Sequence, residues 1–348
     1  MLRGQGNQER VNNMRFMTYL ISRLISCGLV ILIGITIVFL APRLTSQNPA
    51  LTLMGRITSQ GAFMDPKAVE AMRDSLMETF GLKGTILQQY LGFLRRSFTG
   101  DFGPSLAVFP TPVKQLVYKS LPWTIGLLLS STLIAWIIGN ILGLIAGYLK
   151  DRTISKILEP IAIIIYPIPY YIMALTLILF FSYTFHIFPI SVGGYTIGLQ
   201  PSWNWQFIKS IISNSILPAL SIIIVSYGWW FLSMKALSLN IAKEDYVLFA
   251  EIKGLSRKEI MKRYILRNAL LPQITQLAMS LGTMFSGALL TEVIFSYPGL
   301  GTLMFMAVTN ADYNLMIGII SLSIIAVALA GLLLDFIYPL LDPRIRYH

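Results

Sequence analysis

The chain has 348 residues, 55% of them hydrophobic and only 12% charged, with a mean hydropathy of +0.67. A soluble domain carries about 25% charged residues, so this composition excludes a soluble globular fold, a nucleic-acid-binding domain and a disordered chain. The net charge of +11 is spread between apolar runs, as membrane topology requires, and the single cysteine, Cys27, excludes an intrachain disulfide or a cysteine-based metal site.

A helix needs about 20 apolar residues to cross the hydrocarbon core. Six stretches qualify: Tyr19–Leu40, Leu121–Leu149, Ile157–Tyr183, Ile211–Met234, Pro272–Phe295 and Leu315–Leu341. Period-two alternation, the mark of a membrane barrel, is not visible. Residues 1–18 form a basic tail with Arg3, Arg10 and Arg15. The first span, within 19–42, ends at Ala41-Pro42 without a small-residue cleavage pattern, so it reads as an uncleaved signal-anchor. Residues 43–120 form a long segment expected to be extracytoplasmic. Within it, Asp65-Pro66 starts a helix, Val69, Met72, Leu76 and Phe80 line its apolar face, and Gly81 stops it. Residues 99–105 are turn-rich. The third span contains Pro167 and Pro169, which predict a fixed kink. In the fourth, Tyr227, Trp229, Trp230 and Phe231 read as an interfacial aromatic belt.

Of the 27 Lys and Arg, seventeen fall at the N-terminus, in Lys150–Lys156, in Lys235–Arg267 and at Arg344 and Arg346. The positive-inside rule then puts both chain ends in the cytoplasm. The loop Ser296–Asn314 has no basic residue, and Thr184–Ser210 has only Lys209, so both are outer loops. Residues 121–341 form the core, with a cytoplasmic loop at 236–271 and a tail at 342–348.

That loop carries the most information. It is helix-compatible up to Ile252, Gly254 supplies a left-handed stop, and Ser256 with Glu259 reads as a capping box that starts a second helix. Ile260, Tyr264 and Ile265 share one side of it; Lys258, Lys262, Arg263 and Arg267 lie toward another. Pro272 marks re-entry into the membrane. The pattern is a rigid helix–glycine–helix knob, suited either to lie on lipid headgroups or to dock a cytoplasmic partner.

Gly254, with Asp245-Tyr246-Val247 and Ala250 before it and Arg267-Asn-Ala-Leu-Leu-Pro272 after, resembles the cytoplasmic loop of ABC-importer permeases. Its spacing is similar to that of the dipeptide/oligopeptide/nickel-type permeases, specifically the first of their two permease subunits. Gly100-Asp-Phe-Gly-Pro-Ser105, Pro167-Ile-Pro-Tyr170, Thr291 to Gly301 and Asp335 to Arg346 match further motifs of the family in the same order. Leu248, Glu251 and Asn240 depart from its usual charges. The resemblance implies an all-α integral membrane protein of six transmembrane helices with both ends cytoplasmic, in the inner membrane of a prokaryotic cell. It implies a second homologous permease, two cytoplasmic ATP-binding subunits and an extracytoplasmic substrate-binding protein as partners. ATP and Mg would be used by the ATPases, with no cofactor and no nucleic acid bound here. It assigns ATPase coupling to Asp245, Tyr246, Ala250, Lys253, Gly254, Leu255, Ser256 and Glu259. Glu292, Tyr297, Pro298, Gly299 and Asp335 are pathway or gating candidates, because intramembrane acids are costly and need a reason. The bland account makes Glu292 an anchor for the turn Ser296–Gly301, and Asp335 a structural hydrogen-bonding group.

No phosphate-binding Gly-x-x-x-x-Gly-Lys-Ser/Thr loop, no Gly-x-Ser-x-Gly elbow and no His-Glu-x-x-His motif occurs. The two histidines, His186 and His348, cannot build a multi-histidine site. The expected function is a permease subunit for peptides, with oligosaccharides or nickel as alternative cargo. A stand-alone ion-coupled transporter would call for inverted repeats and more mid-membrane acids.

Overall fold

The computed structural model describes residues 2–40, 43, 55, 66–79, 81, 83–149, 153–189, 193–196, 198–283 and 289–341. Thirteen helices are named here: α1 Leu2–Leu40, α2 Pro66–Thr79, α3 Ile86–Thr99, α4 Val113–Tyr148, α5 Thr153–Ile165, α6 Tyr170–Leu177, α7 Trp205–Ile241, α8 Asp245–Ile252, α9 Arg257–Ile260, α10 Arg267–Thr283, α11 Leu289–Ile294, α12 Leu300–Thr309 and α13 Tyr313–Leu341. Wide π-type turns continue α6 through Ile178–Thr184 and join α9 to α10 through Met261–Leu266.

Four of these helices are long and apolar enough to cross a membrane: α1 over Met17–Leu40, α4, α7 and α13 over Tyr313–Leu333. A fifth span exists if Ser155–Ile165 and Tyr170–Thr184 count as one, bent by 105° at the Pro167-Ile-Pro169 break. The expected span Pro272–Phe295 corresponds to α10 and α11, between which residues 284–288 lie outside the described set. Pro272 sits inside α10 and does not begin it; helix interiors in membranes tolerate proline when neighbours satisfy the freed carbonyl. Of the helix expected to start at Asp65, α2 covers Pro66–Thr79, and Gly81 has φ +65. Asp65 and Phe80 lie outside the described residues, as do the C-terminal arginines.

Two helices had no counterpart in the sequence reading. One is α3, opened by a full capping box between Thr85 and Gln88 and closed by left-handed Gly100. The other is α12, within the stretch expected to be an outer loop. Its apolar run is too short for a span and follows Pro298-Gly299, which read as a turn.

The chain divides into two compact units, residues 1–121 with 303–348, and residues 122–302. In the first, α1 and α13 pack antiparallel, so the Met17 end of one lies beside the Leu341 end of the other. Three contacts mark the line: the Arg23 Nε–Asp335 Oδ2 ion pair at 3.4 Å, Cys27 Sγ donating to the Ala328 carbonyl, and Gly34, whose missing Cβ would stand 2.9 Å from Ile324 Cγ2. The turn-rich segment closes on the start of α13. Buried Asp312 accepts from Ser105 Oγ at 2.5 Å and from the Ala107 N–H at 2.9 Å, while its other oxygen caps the Leu315 N–H at 3.0 Å.

In the second unit, α4 and α7 run parallel along a stripe of glycines. A Cβ at Gly139 would lie 2.5 Å from Trp230 Cβ, one at Gly143 would lie 2.5 Å from the Phe231 carbonyl oxygen, and one at Gly147 would lie 2.7 Å from that of Lys235. Small residues four apart let membrane helices approach backbone to backbone. This corrects the aromatic-belt expectation. Trp230 and Phe231 are buried against the glycines, and only Trp229 is exposed, stacked on Tyr166 with ring centroids 5.7 Å apart. Lys235 of α7 pairs with Glu159 of α5.

Candidate functional site

The knob between α7 and α10 is two-faced. Helix α8 turns Val247 and Ala250 inward, where they are fully buried. There they pack with Leu144 of α4, Met234 of α7, and Ile260, Ile265 and Ala269 of the second half of the knob. Gly254 has φ +75, with nothing within 4 Å of where a Cβ would stand. Its role is therefore the left-handed turn itself. Ser256 accepts the Glu259 N–H at 3.3 Å, but the Glu259 carboxylate pairs with Arg263 Nη1 at 3.1 Å, so only half of the expected capping box forms. Tyr148 at the end of α4 donates to Glu251 Oε1 at 3.3 Å, and Asn268 Nδ2 reaches the Tyr246 hydroxyl at 3.3 Å. The knob is thus bolted to the C-terminal ends of α4 and α7.

Its other face is apolar and uncovered. Leu248, Phe249 and Ile252 are 55%, 65% and 73% exposed, and Asp245, Tyr246, Lys253, Gly254 and Ser256 surround them on the surface. Leu255 and Glu259 are half-buried. Leu248, Phe249 and Ile252 are not among the coupling residues expected from the sequence, although their helical spacing sets them opposite to Val247 and Ala250. Ala250 itself is packed against the spans and is not presented on the surface.

A second constellation lies at the far end of the same unit. Glu292 is only 1% exposed. Its Oε1 accepts from Thr124 Oγ1 at 2.7 Å and its Oε2 from the Gly301 N–H at 2.6 Å. Thr124 Oγ1 in turn accepts the Leu300 N–H at 2.8 Å, and the Tyr297 N–H donates to the Glu292 carbonyl at 2.7 Å. A Cβ on Gly299 would stand 2.3 Å from this carboxylate. Buried Tyr297 shares a hydrogen bond with Ser215 at 3.0 Å and meets Trp123 edge-on, while Pro298 is half-buried beside it. Glu292 therefore holds the turn 296–301 against α4. Thr124 and Ser215 are members that local sequence pattern could not reveal. Asp335 is not part of this cluster; within the first unit it ties α13 to Arg23 and, through its carbonyl, to the Tyr19 hydroxyl at 3.2 Å. No group of three or more His, Cys, Asp or Glu that could hold a metal occurs among the described residues.

Residues 139–347 match the family described as binding-protein-dependent transport system inner membrane component. The chain belongs to that family. It is similar to the oligopeptide transport system permease protein AppB of Bacillus subtilis (strain 168), at 30% identity over 91% of this chain and 96% of the relative. A probable peptide ABC transporter permease protein, y4tP, of Sinorhizobium fredii is 29% identical over 94% and 99% of the two chains. The di/tripeptide transport system permease protein DppB of Pseudomonas aeruginosa is 28% identical over 90% and 94%. Family and apolar helices together make this a multi-pass membrane protein and the permease component of an ABC importer.

Proposed function

We propose that this permease forms one half of an import pathway for peptides. It pairs with a second homologous permease, receives cargo from an extracytoplasmic binding protein, and is driven by two cytoplasmic ATPases docked beneath it. Six spans with both ends cytoplasmic, in a prokaryotic inner membrane, fit the distribution of basic residues. Residues 43–120 then lie outside, 121–341 form the transport core, and 236–271 face the ATPases. ATP and Mg belong to those ATPases, and no cofactor is used by this chain. Peptide cargo is supported by the relatives described above, which are peptide permeases; oligosaccharides or nickel are the alternative cargo.

The observation that carries the reading is the two-faced knob. Its inner face is fused to α4 and α7, so a displacement of the knob becomes a displacement of the spans. Its outer face offers Leu248, Phe249 and Ile252 to a groove on an ATPase. ATP binding that favours the closed ATPase pair then favours one arrangement of the spans over the other. Without such differential affinity no population would shift. Glu292, Tyr297, Pro298 and Gly299 act at the far end as the fixed seat of an outer gate.

Mild-detergent purification of the tagged chain from its native membrane, followed by mass spectrometry, tests the assembly. A second permease and ATPase chains are expected in stoichiometric amounts. Recovery of this chain alone, from a preparation shown to preserve other ABC complexes, contradicts it.

A further inference from the structure

We infer that α3 is an interfacial anchor whose uncovered apolar stripe lies in the lipid of the leaflet where the first span ends. The helix is complete in itself, with its Thr85–Gln88 capping box and left-handed Gly100. One side packs on α1: the Tyr90 hydroxyl bonds Thr36 Oγ1 at 2.7 Å, and the rings of Tyr90 and Phe93 lie 5.2 and 5.4 Å from that of Phe39. Arg43 Nη2 adds a bond to Gln89 Oε1 at 3.0 Å.

The adjoining side is apolar and bare. Leu87, Leu91, Leu94 and Phe98 recur every three or four residues, and Leu87, Leu91 and Phe98 are 66%, 57% and 75% exposed. Gln88, Arg95, Arg96 and Thr99 occupy the remaining arc. A sharply divided helix with exposed Arg95 beside its apolar stripe is the pattern of a helix lying in the plane of a membrane surface, with its cation reaching headgroup phosphates.

Depth follows from where α3 meets α1. Met17–Leu40 holds 24 residues, about 36 Å of helix, against roughly 30 Å of hydrocarbon. Thr36 and Phe39 lie in its last turns, at the boundary between acyl chains and headgroups. Ile33, Ile37 and Leu40, around the same turns of α1, are also exposed and apolar. The lipid-facing surface of α1 therefore continues onto α3. With the N-terminus cytoplasmic, the leaflet is the outer one; the anchor itself does not depend on the coupling role proposed above.

The test uses the assembled transporter in lipid nanodiscs, with Cys27→Ser and a single cysteine at Leu91→Cys or Thr99→Cys carrying a bimane fluorophore. Brominated lipid is expected to quench position 91 several-fold more than position 99, and aqueous iodide to show the reverse order. Equal iodide quenching at both positions would place the stripe in water and overturn the inference. Quenching of position 91 by neither agent would mean that protein covers the stripe, and would overturn it as well. Both readouts are independent of transport.

Discussion

Glu292 shows how one buried carboxyl group can be held by a hydroxyl and a backbone N–H. Its carboxylate receives the Thr124 hydroxyl and the Gly301 N–H, and two glycines leave room for it. A donor left unpaired in a buried site costs about 1–3 kcal/mol. Glu292→Leu should therefore lower the unfolding temperature of the purified complex, since the buried Gly301 N–H and the Thr124 hydroxyl would both lose their acceptor. Thr124→Val should act in the same direction, because it removes both the bond to Glu292 Oε1 and the one from the Leu300 N–H. Thermal unfolding followed by intrinsic fluorescence checks both; no change in either variant would remove the seat from the turn 296–301. Glu292 was legible in the sequence as an acid in an apolar run. Its partner Thr124 was not, because nothing local points across 168 residues. The Ser105–Asp312 bond, spanning 207 residues, was invisible for the same reason.

Among elements, the inner loop was the most legible. A glycine with φ +75 between two short helices, and a serine cap two residues later, are local features that sequence states directly. Gly254→Val should leave insertion intact while disabling ATP-driven uptake. Left-handed backbone costs an L residue roughly 1–2 kcal/mol, more for a β-branched one, and relaxing it would turn α8 away from α9. Uptake at the wild-type rate would separate Gly254 from coupling. The glycine stripe of α4 was present in the sequence as Gly139, Gly143 and Gly147, but only packing reveals which helix it faces. Gly143→Leu should push α4 from α7 at a cost of about 1–3 kcal/mol or more, seen as loss of the intact complex on size-exclusion chromatography. Gly92→Ala, with nothing within 4 Å of the added Cβ, should leave that elution profile unchanged. Helices α3 and α12 escaped the hydropathy reading because neither is long enough to span, although the Thr85–Gln88 box marks the start of α3.

At the scale of the molecule, hydropathy recovers the long apolar helices α1, α4, α7 and α13 in their order, because each needs only its own residues to be recognised. Their pairing depends on contacts between distant segments: α1 with α13 through Arg23 and Asp335, and α4 with α7 through glycines. These pairings turn a set of spans into a device, since the buried face of the knob shares Leu144 and Met234 with α4 and α7. The most direct test of the coupling account is Phe249→Glu, a change on an exposed side chain that should leave the permease folded. Co-purified ATPase and ATP-driven peptide uptake would be measured together in proteoliposomes. The account predicts normal membrane levels of the permease with ATPase recovery and uptake both reduced at least several-fold. Wild-type ATPase recovery together with wild-type uptake would contradict docking through this face.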